Sequence, residues 1–339
     1  MQKILYVGID YHQNSLQICA MQQDGKTLVN QTCANDTAAL SQLLLKHQPT
    51  EIRAAIEACC GAADFAEEAS SRLGWSISLA HPGYVNRMKQ TPDKTDYSDA
   101  RMLADLTRVG YLPRVWLAPQ VIRELRAVFR YRATLVEQRR NTKLRIGGLL
   151  RDQRVKAPQG TNRWTCKWID WLATAAPLSA AGRWIINEHL EQLREIKERI
   201  ARAETLLQTM TQNDHVVQRL IAMKAIGLIT ACALRAEIGQ FERFNNGKQL
   251  SHFCGLTPRN ASSGQRQADA GLITSCSKLL RATLIEAAHR LMRFDERWRQ
   301  LAARLHQNGK PICVIIAAVA NRWIRWLWHE MTAPQPQAA

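Results

Sequence analysis

Lys3-Ile4-Leu5-Tyr6-Val7-Gly8-Ile9-Asp10 is an apolar run that stops on a carboxylate, and it limits the fold more than any other stretch of the chain. A run of this length closed by a polar residue reads as a buried strand. Ser15 to Met21 alternates and reads as a second strand, Gln23-Asp24-Gly25-Lys26 is a hairpin turn signalled by Asp-Gly, and Thr27 to Gln31 is the third strand of an antiparallel meander. Helical spacing follows from Thr37 to His47. Glu51 to Glu57 is a fourth strand and again ends on a carboxylate; Ala62 to Leu73 is a helix, Trp75 to Ala80 a fifth strand, and His81-Pro82-Gly83 breaks it. Strands followed by alternating helix and strand predict a mixed α/β sheet covered by helices. A polar loop from Thr91 then enters a helix through Leu106. Asp96 is placed as its N-cap and Asp99 at the third helical position, so that both carboxylates overhang one helix start.

After Leu117-Ala118-Pro119 the character changes. Val121 to Arg154 is a long helical pattern dense in arginine, with Glu124, Glu137 and Asp152 as its acids, and a second long helix of mixed charge runs from about Glu188 to Met210. Together they read as an antiparallel coiled-coil hairpin. Trp164, Trp168 and Trp171 fall on one helical face between them, a spacing that predicts packing rather than base stacking. Leu220 to Gly227 followed by a helix from Leu228 to Glu237 has the form of a helix-hairpin-helix, in which a helix start offers backbone N–H groups to a phosphate. Two apolar helices, Leu279 to Met292 and Pro311 to Trp328, follow, with Trp323 and Trp326 as core, and then a tail rich in Pro, Gln and Ala that is expected to be disordered. The expected division is 1–115, a catalytic sheet domain; 116–214, a basic helical arm; 215–331, a mainly helical domain; and 332–339, the tail.

Lys and Arg number 46 against 29 Asp and Glu, a net charge of +17, which draws polyanions from a distance and favours nucleic acid as the partner. The nine cysteines are scattered without a Cys-x-x-Cys pair, as expected of reduced thiols in a cytoplasm. No signal peptide is read at the start, and the apolar run Ile312 to Ala320 is too short to span a bilayer, so no membrane partner is expected.

Phosphodiester chemistry needs an activated nucleophile, neutralised phosphate charge and a stabilised leaving oxygen. A pair of hard metal ions held by carboxylates supplies all three. The ordered set Asp10, Glu57, Asp96, Asp99 matches the RNase H-like nucleases in their Holliday-junction resolvase (RuvC-like) branch. A sugar-kinase or chaperone ATPase also opens with strand, Asp and hairpin, but it needs a glycine and a hydroxyl after the Asp, where this chain has Tyr11-His12-Gln13.

The order Gly8-Ile9-Asp10, Ile56-Glu57-Ala58, then Lys94-Thr95-Asp96-x-x-Asp99-Ala100-x-x-Leu103-Ala104 resembles the DEDD transposases of bacterial insertion-sequence family 110, which includes the Piv-type invertases. The C-terminal half is similar to that family's second domain in Ile226-Gly227, Ala236-Glu237-Ile238-Gly239, Arg243-Phe244, Gln249-Leu250, Gly255-Leu256-x-Pro258-Arg259, Ser263-Gly264, Leu280-Arg281 and Ala287-Ala288. Two departures stand out. The family usually has Pro-Gly-Ile-Gly where this chain has Lys224-Ala225-Ile226-Gly227, and Ser275-Cys276-Ser277 replaces a glycine often found ahead of Leu-Arg. The resemblance implies an α/β plus all-α architecture: an RNase H-like sheet, coiled-coil arms and a helical transposase domain. It implies Mg2+, or Mn2+, on Asp10, Glu57, Asp96 and Asp99, and a serine nucleophile that joins DNA through a phosphoserine. That residue is Ser263 rather than Ser262, because the family's serine directly precedes the glycine. Arg259 and Arg266 flank the loop to hold the phosphate. The resemblance further implies donor and target DNA, a structured noncoding bridge RNA and a homo-oligomer, dimer or tetramer, in which one subunit's carboxylates act with another's serine. Arg139, Arg140 and Lys143 on the basic arm are candidate nucleic-acid contacts. The alternatives are a junction resolvase that leaves Ser263 idle and a nucleic-acid-binding regulator without catalysis.

Overall fold

The computed structural model describes residues 3–89, 95–260 and 269–334, and the chain separates into two compact units, Met1–Gln120 and Val121–Ala339. The first unit runs β1 (Ile4–Tyr11), β2 (Ser15–Met21), β3 (Thr27–Ala34), α1 (Thr37–Leu45), β4 (Glu51–Glu57), α2 (Ala62–Leu73), β5 (Ser76–Ala80), α3 (Pro82–Met88), α4 (Asp96–Arg108) and β6 (Arg114–Val115). Its six strands form one sheet in the order β3-β2-β1-β4-β5-β6. β1 is antiparallel to β2 and parallel to β4, and the expected hairpin turn forms with Gly25 at φ 87° and the Asp24 carboxylate accepting from the Lys26 amide at 2.9 Å.

Alternation along β1 divides its side chains between two covered faces. Leu5, Val7 and Ile9 join Leu40 and Leu44 of α1 and Phe65, Ala66 and Ala69 of α2 in one core. The opposite face is built for close approach. A Cβ on Gly8 would lie 1.9 Å from the Ala100 carbonyl oxygen, so only glycine lets α4 sit this deep on β1. Ala100 and Ala104 of α4 meet Cys19 and Met21 of β2 there. This seating brings the start of α4 to the end of β1.

One local expectation is corrected and one is borne out. The α4 N-cap is Thr95, which accepts from the Ser98 amide in a capping box closed by the Ser98 hydroxyl, so Asp96 and Asp99 stand one position later than predicted, inside the first turn. His81-Pro82-Gly83 does end β5, but Pro82 then occupies the first turn of α3, where its missing N–H has no helical partner to lose.

The second unit contains α5 (Gln120–Asp152), α6 (Cys166–Thr174), α7 (Ala180–Thr211), α8 (His215–Ile221), α9 (Leu228–Ile238), α10 (Gly247–Phe253), β7 (Pro258–Asn260), β8 (Asp269–Leu272), α11 (Lys278–Phe294), α12 (Glu296–Gln307) and α13 (Ile312–Thr332). α5 and α7 lie side by side and antiparallel: Phe129 shares a core with Leu207, Leu135 with Ile196 and Ile200, and Ile146 with Ile186. The Arg132–Glu204 ion pair at 2.7 Å and the bond from the Thr142 hydroxyl to Gln192 at 3.0 Å keep the same register. Trp168 is buried beside Leu172 with the rings of Trp164 and Trp171 packed on it, as the spacing predicted, although Trp164 precedes α6. α7 begins eight residues earlier than expected, behind a Ser179 cap, and α12 was not anticipated because Trp298 is its one buried residue. Trp323 is core as expected, whereas Trp326 is only partly buried. The tail predicted from Thr332 starts inside α13, and residues 335–339 lie outside the described residues.

α8 and α9 flank a turn in which Ala225 has φ 64°, and the Arg290 guanidinium ties this turn to α11 by donating to the Ala225 carbonyl at 3.2 Å and the Thr230 hydroxyl at 2.7 Å. The left-handed conformation is unfavourable for alanine, and it falls where the resembling family carries glycine. Ala225→Gly is expected to raise the unfolding free energy by about 1 kcal/mol, measured by urea denaturation, because the strain relieved exceeds the added unfolded-state freedom.

Candidate active site and nucleic-acid interface

Asp10 follows Ile9 at the end of β1, and Glu57 follows Ile56 at the end of β4; Ile9 and Ile56 are paired in parallel register, so the two carboxylates leave the sheet at neighbouring strand ends. The Thr95 cap and the Gly8 contact bring Asp96 to the same place. Between Asp10 and Asp96 stands His12, whose Nε2 lies 3.4 Å from an Asp10 carboxylate oxygen and 3.2 Å from one of Asp96. One ligand atom from each of Asp10, His12 and Asp96 lies within 4.8 Å of the others, the one such group among the described residues. His12 was not among the expected site residues. It lies just past the end of β1, in the turn toward β2, and its one signal in the sequence was its closeness to Asp10.

Burial is the main cause that pushes the Asp10 carboxyl above its usual range; the charges of Asp96 and Asp99 push the same way, while His12 opposes them. Asp99 is buried, and Lys89 contacts both of its oxygens, at 2.7 and 2.8 Å. Glu57 is half-buried. Asp10 and Asp96 offer carboxylate oxygens of the kind a hard divalent cation takes, with His12 between them and Asp99 near enough to raise the Asp10 pKa. Of the four expected acids, the structure therefore brings Asp10 and Asp96 together, places Glu57 on the adjoining strand end, and holds Asp99 in an ion pair.

The second expected site falls in the sequence between β7 and β8, which pair antiparallel with Pro258 opposite Leu272 and Asn260 opposite Asp269. Ser262, Ser263 and Arg266 lie outside the described residues; Arg259 is exposed on β7. The foot of the hairpin is fixed by Arg281, which donates to the Ile273 carbonyl at 2.6 Å and the Gly255 carbonyl at 3.3 Å. Gly255 has φ 72°, and a Cβ there would stand 2.2 Å from the Cys276 sulfur. Arg281 thus ties Gly255, before β7, to Ile273, after β8.

The arm arginines divide into two groups. Near the α8–α13 core, Arg126 donates to the Ala236 carbonyl at 2.9 Å, Arg130 pairs with Glu237 at 2.9 Å and Arg132 pairs with Glu204, so these three serve the fold. Farther along α5, Arg139, Arg140 and Lys143 line a groove of about 330 Å³ with Arg151, Arg163 and Trp164. The Lys143 ammonium sits 4.6 Å above the Trp164 ring, and its pKa is lowered by burial and then by Arg139.

Among the described residues no helix is long and apolar enough to cross a membrane. A DEDD-type family model described as Transposase matches residues 7–153, and a second, described as Transposase IS116/IS110/IS902 family, matches residues 217–303. A probable family 20 transposase of Pseudomonas aeruginosa is 28% identical over 81% of this chain and 82% of its own length. The transposase for insertion sequence element IS1111A of Coxiella burnetii is 24% identical over 96% of this chain and 90% of its own. The transposase for IS1328 of Yersinia enterocolitica is 26% identical over 97% of both.

Proposed function

Because this chain belongs to the IS110 family of transposases, we propose that it is the recombinase of an insertion sequence, cutting and rejoining DNA with a Mg2+-binding carboxylate cluster and the nucleophile Ser263. The observation that carries the reading is the convergence of Asp10 and Asp96 at the end of the central strand, beside Glu57 and Asp99. Bound by these four carboxylates, Mg2+ (or Mn2+) would neutralise the charge of the scissile phosphate and assist the leaving oxygen. His12, bridging Asp10 and Asp96, is placed to hold or pass a proton at its Nε2. Lys89 fixes the Asp99 carboxylate at the start of α4.

On this reading residues 1–115 are the catalytic domain, 116–214 the arm with its coiled-coil hairpin, 215–331 the serine-bearing domain and 332–339 a tail. The α8–α9 turn is a helix-hairpin-helix for DNA phosphate, and Arg259 and Arg266 hold the phosphate that Ser263 attacks. Oligomer assembly unites the carboxylates of one subunit with the serine of another, and a bridge RNA encoded by the element selects donor and target DNA. The protein acts in the cytoplasm.

The test is to incubate purified chain and Mg2+ with DNA spanning the element's ends, with and without the adjacent noncoding RNA. RNA-dependent rejoined products support the proposal; nicks alone return the chain to a junction nuclease, and binding alone to a regulator. The arm is tested separately. Arg139→Glu, Arg140→Glu and Lys143→Glu together should weaken nucleic-acid binding, measured with RNA and with DNA, and flatten its dependence on salt by about one logarithmic unit per lost phosphate contact. An unchanged titration across salt concentrations would make the groove a solvated helix face.

A further inference from the structure

A larger basic groove, of about 690 Å³, lies between α12 and α13. Arg297 and Arg304, seven residues apart, come from one face of α12, and Arg322, Arg325 and His329 come from one face of α13. Arg297 is held over the rings of Trp298 and Trp326, at 4.9 and 5.5 Å, so its guanidinium is positioned by packing. Among the described residues none of these four arginines forms an ion pair, and no Asp or Glu lines the groove. The neighbouring carboxylate of Glu296 is already paired with Arg299.

Arg322 and Arg325 also line a second cavity, of about 590 Å³, with Pro258 of β7 and Gly271 and Leu272 of β8. Arg322 and Arg325 therefore stand between the α12–α13 groove and an otherwise largely apolar cavity beside β7 and β8, the two strands that flank Ser263 in the sequence. A row of guanidinium groups without ion partners, Arg297 among them held by aromatic packing, is suited to a phosphodiester backbone, and the position of Arg322 and Arg325 beside β7 and β8 favours the strand that the serine attacks.

We propose that Arg297, Arg304, Arg322 and Arg325 form a track for the DNA backbone that leads the scissile strand to the β7–β8 hairpin. The proposal rests on the reading of that hairpin as the nucleophile's carrier, but its binding test does not depend on the serine. In full-length protein, Arg304→Gln with Arg322→Gln removes two exposed guanidinium groups, and Arg304→Lys with Arg322→Lys keeps the charge. Fluorescence anisotropy with a labelled random-sequence DNA duplex, and in parallel with a labelled single-stranded RNA, is read at several salt concentrations. Each phosphate contact contributes about one unit to the logarithmic salt slope, so the Gln pair should lose about two units for DNA and none for RNA, while the Lys pair retains the DNA slope. Ser263→Ala should keep the full DNA slope, which separates failure of the nucleophile reading from failure of the track. An unchanged DNA slope in a Gln pair that melts like wild type, or a loss confined to RNA, would overturn the proposal.

Discussion

Asp10→Asn is expected to abolish strand cleavage while leaving DNA and RNA binding intact. The substitution keeps the shape of the side chain and removes one anionic ligand at the point where β1, His12 and α4 converge. A metal-bound carboxylate cluster supplies several kcal/mol of transition-state stabilisation, so the loss in cleavage rate should be about a thousandfold or more. Stability should respond in the opposite sense. Burial and the charges of Asp96 and Asp99 raise the Asp10 pKa, which means that its ionised form is disfavoured in the folded unit. A neutral Asn relieves this, and the metal-free variant should melt no lower than wild type. Glu57→Gln and Asp96→Asn should share the catalytic loss. Asp99→Asn should share it as well but melt lower, because it breaks the partly buried ion pair with Lys89. Full cleavage by a folded Asp10→Asn protein would remove the carboxylate site from the reaction.

Ser263→Ala is expected to eliminate both the covalent protein–DNA adduct and strand exchange, while Ser262→Ala keeps measurable recombination. A serine hydroxyl is a weak nucleophile until a base or metal activates it and a cationic site holds the phosphate. Arg259, exposed on β7 close to Ser263 in the sequence, is a candidate for that cationic site. Loss of the hydroxyl removes the bond-forming atom itself, so no residual adduct should appear on a denaturing gel. An adduct that persists in Ser263→Ala would assign the attack to another residue.

The sheet was readable because its central strands carry apolar runs that end on carboxylates. The misplaced cap has a simple cause: Asp and Thr are both good N-caps, and the Thr95–Ser98 exchange decides between them only once the backbone is formed. His12 lies past the end of β1, in the turn toward β2, where strand alternation no longer marks direction. Lys89 precedes Asp99 across an intervening segment with no periodic relation to it. The division of arm arginines was hidden for the same reason on a larger scale, since the partners of Arg126 and Arg130 are 110 and 107 residues away. α5 reads as one basic run, although Arg126, Arg130 and Arg132 are taken up by Ala236, Glu237 and Glu204 while Arg139, Arg140 and Lys143 line a groove. Ser263 was chosen through family resemblance alone, because a Ser-Ser-Gly sequence by itself reads as a turn.

The most direct test of a carboxylate-dependent serine recombinase is to map the covalent link. Wild-type protein is incubated with Mg2+ and labelled DNA carrying the element's ends, together with the adjacent RNA, then denatured, digested and analysed by mass spectrometry. The account predicts a nucleotide joined to the peptide containing Ser263, on that residue, and no such peptide from Asp10→Asn or after chelation of the metal. A nucleotide on Ser262 or on a tyrosine, or an adduct formed at the wild-type level by Asp10→Asn, would contradict it.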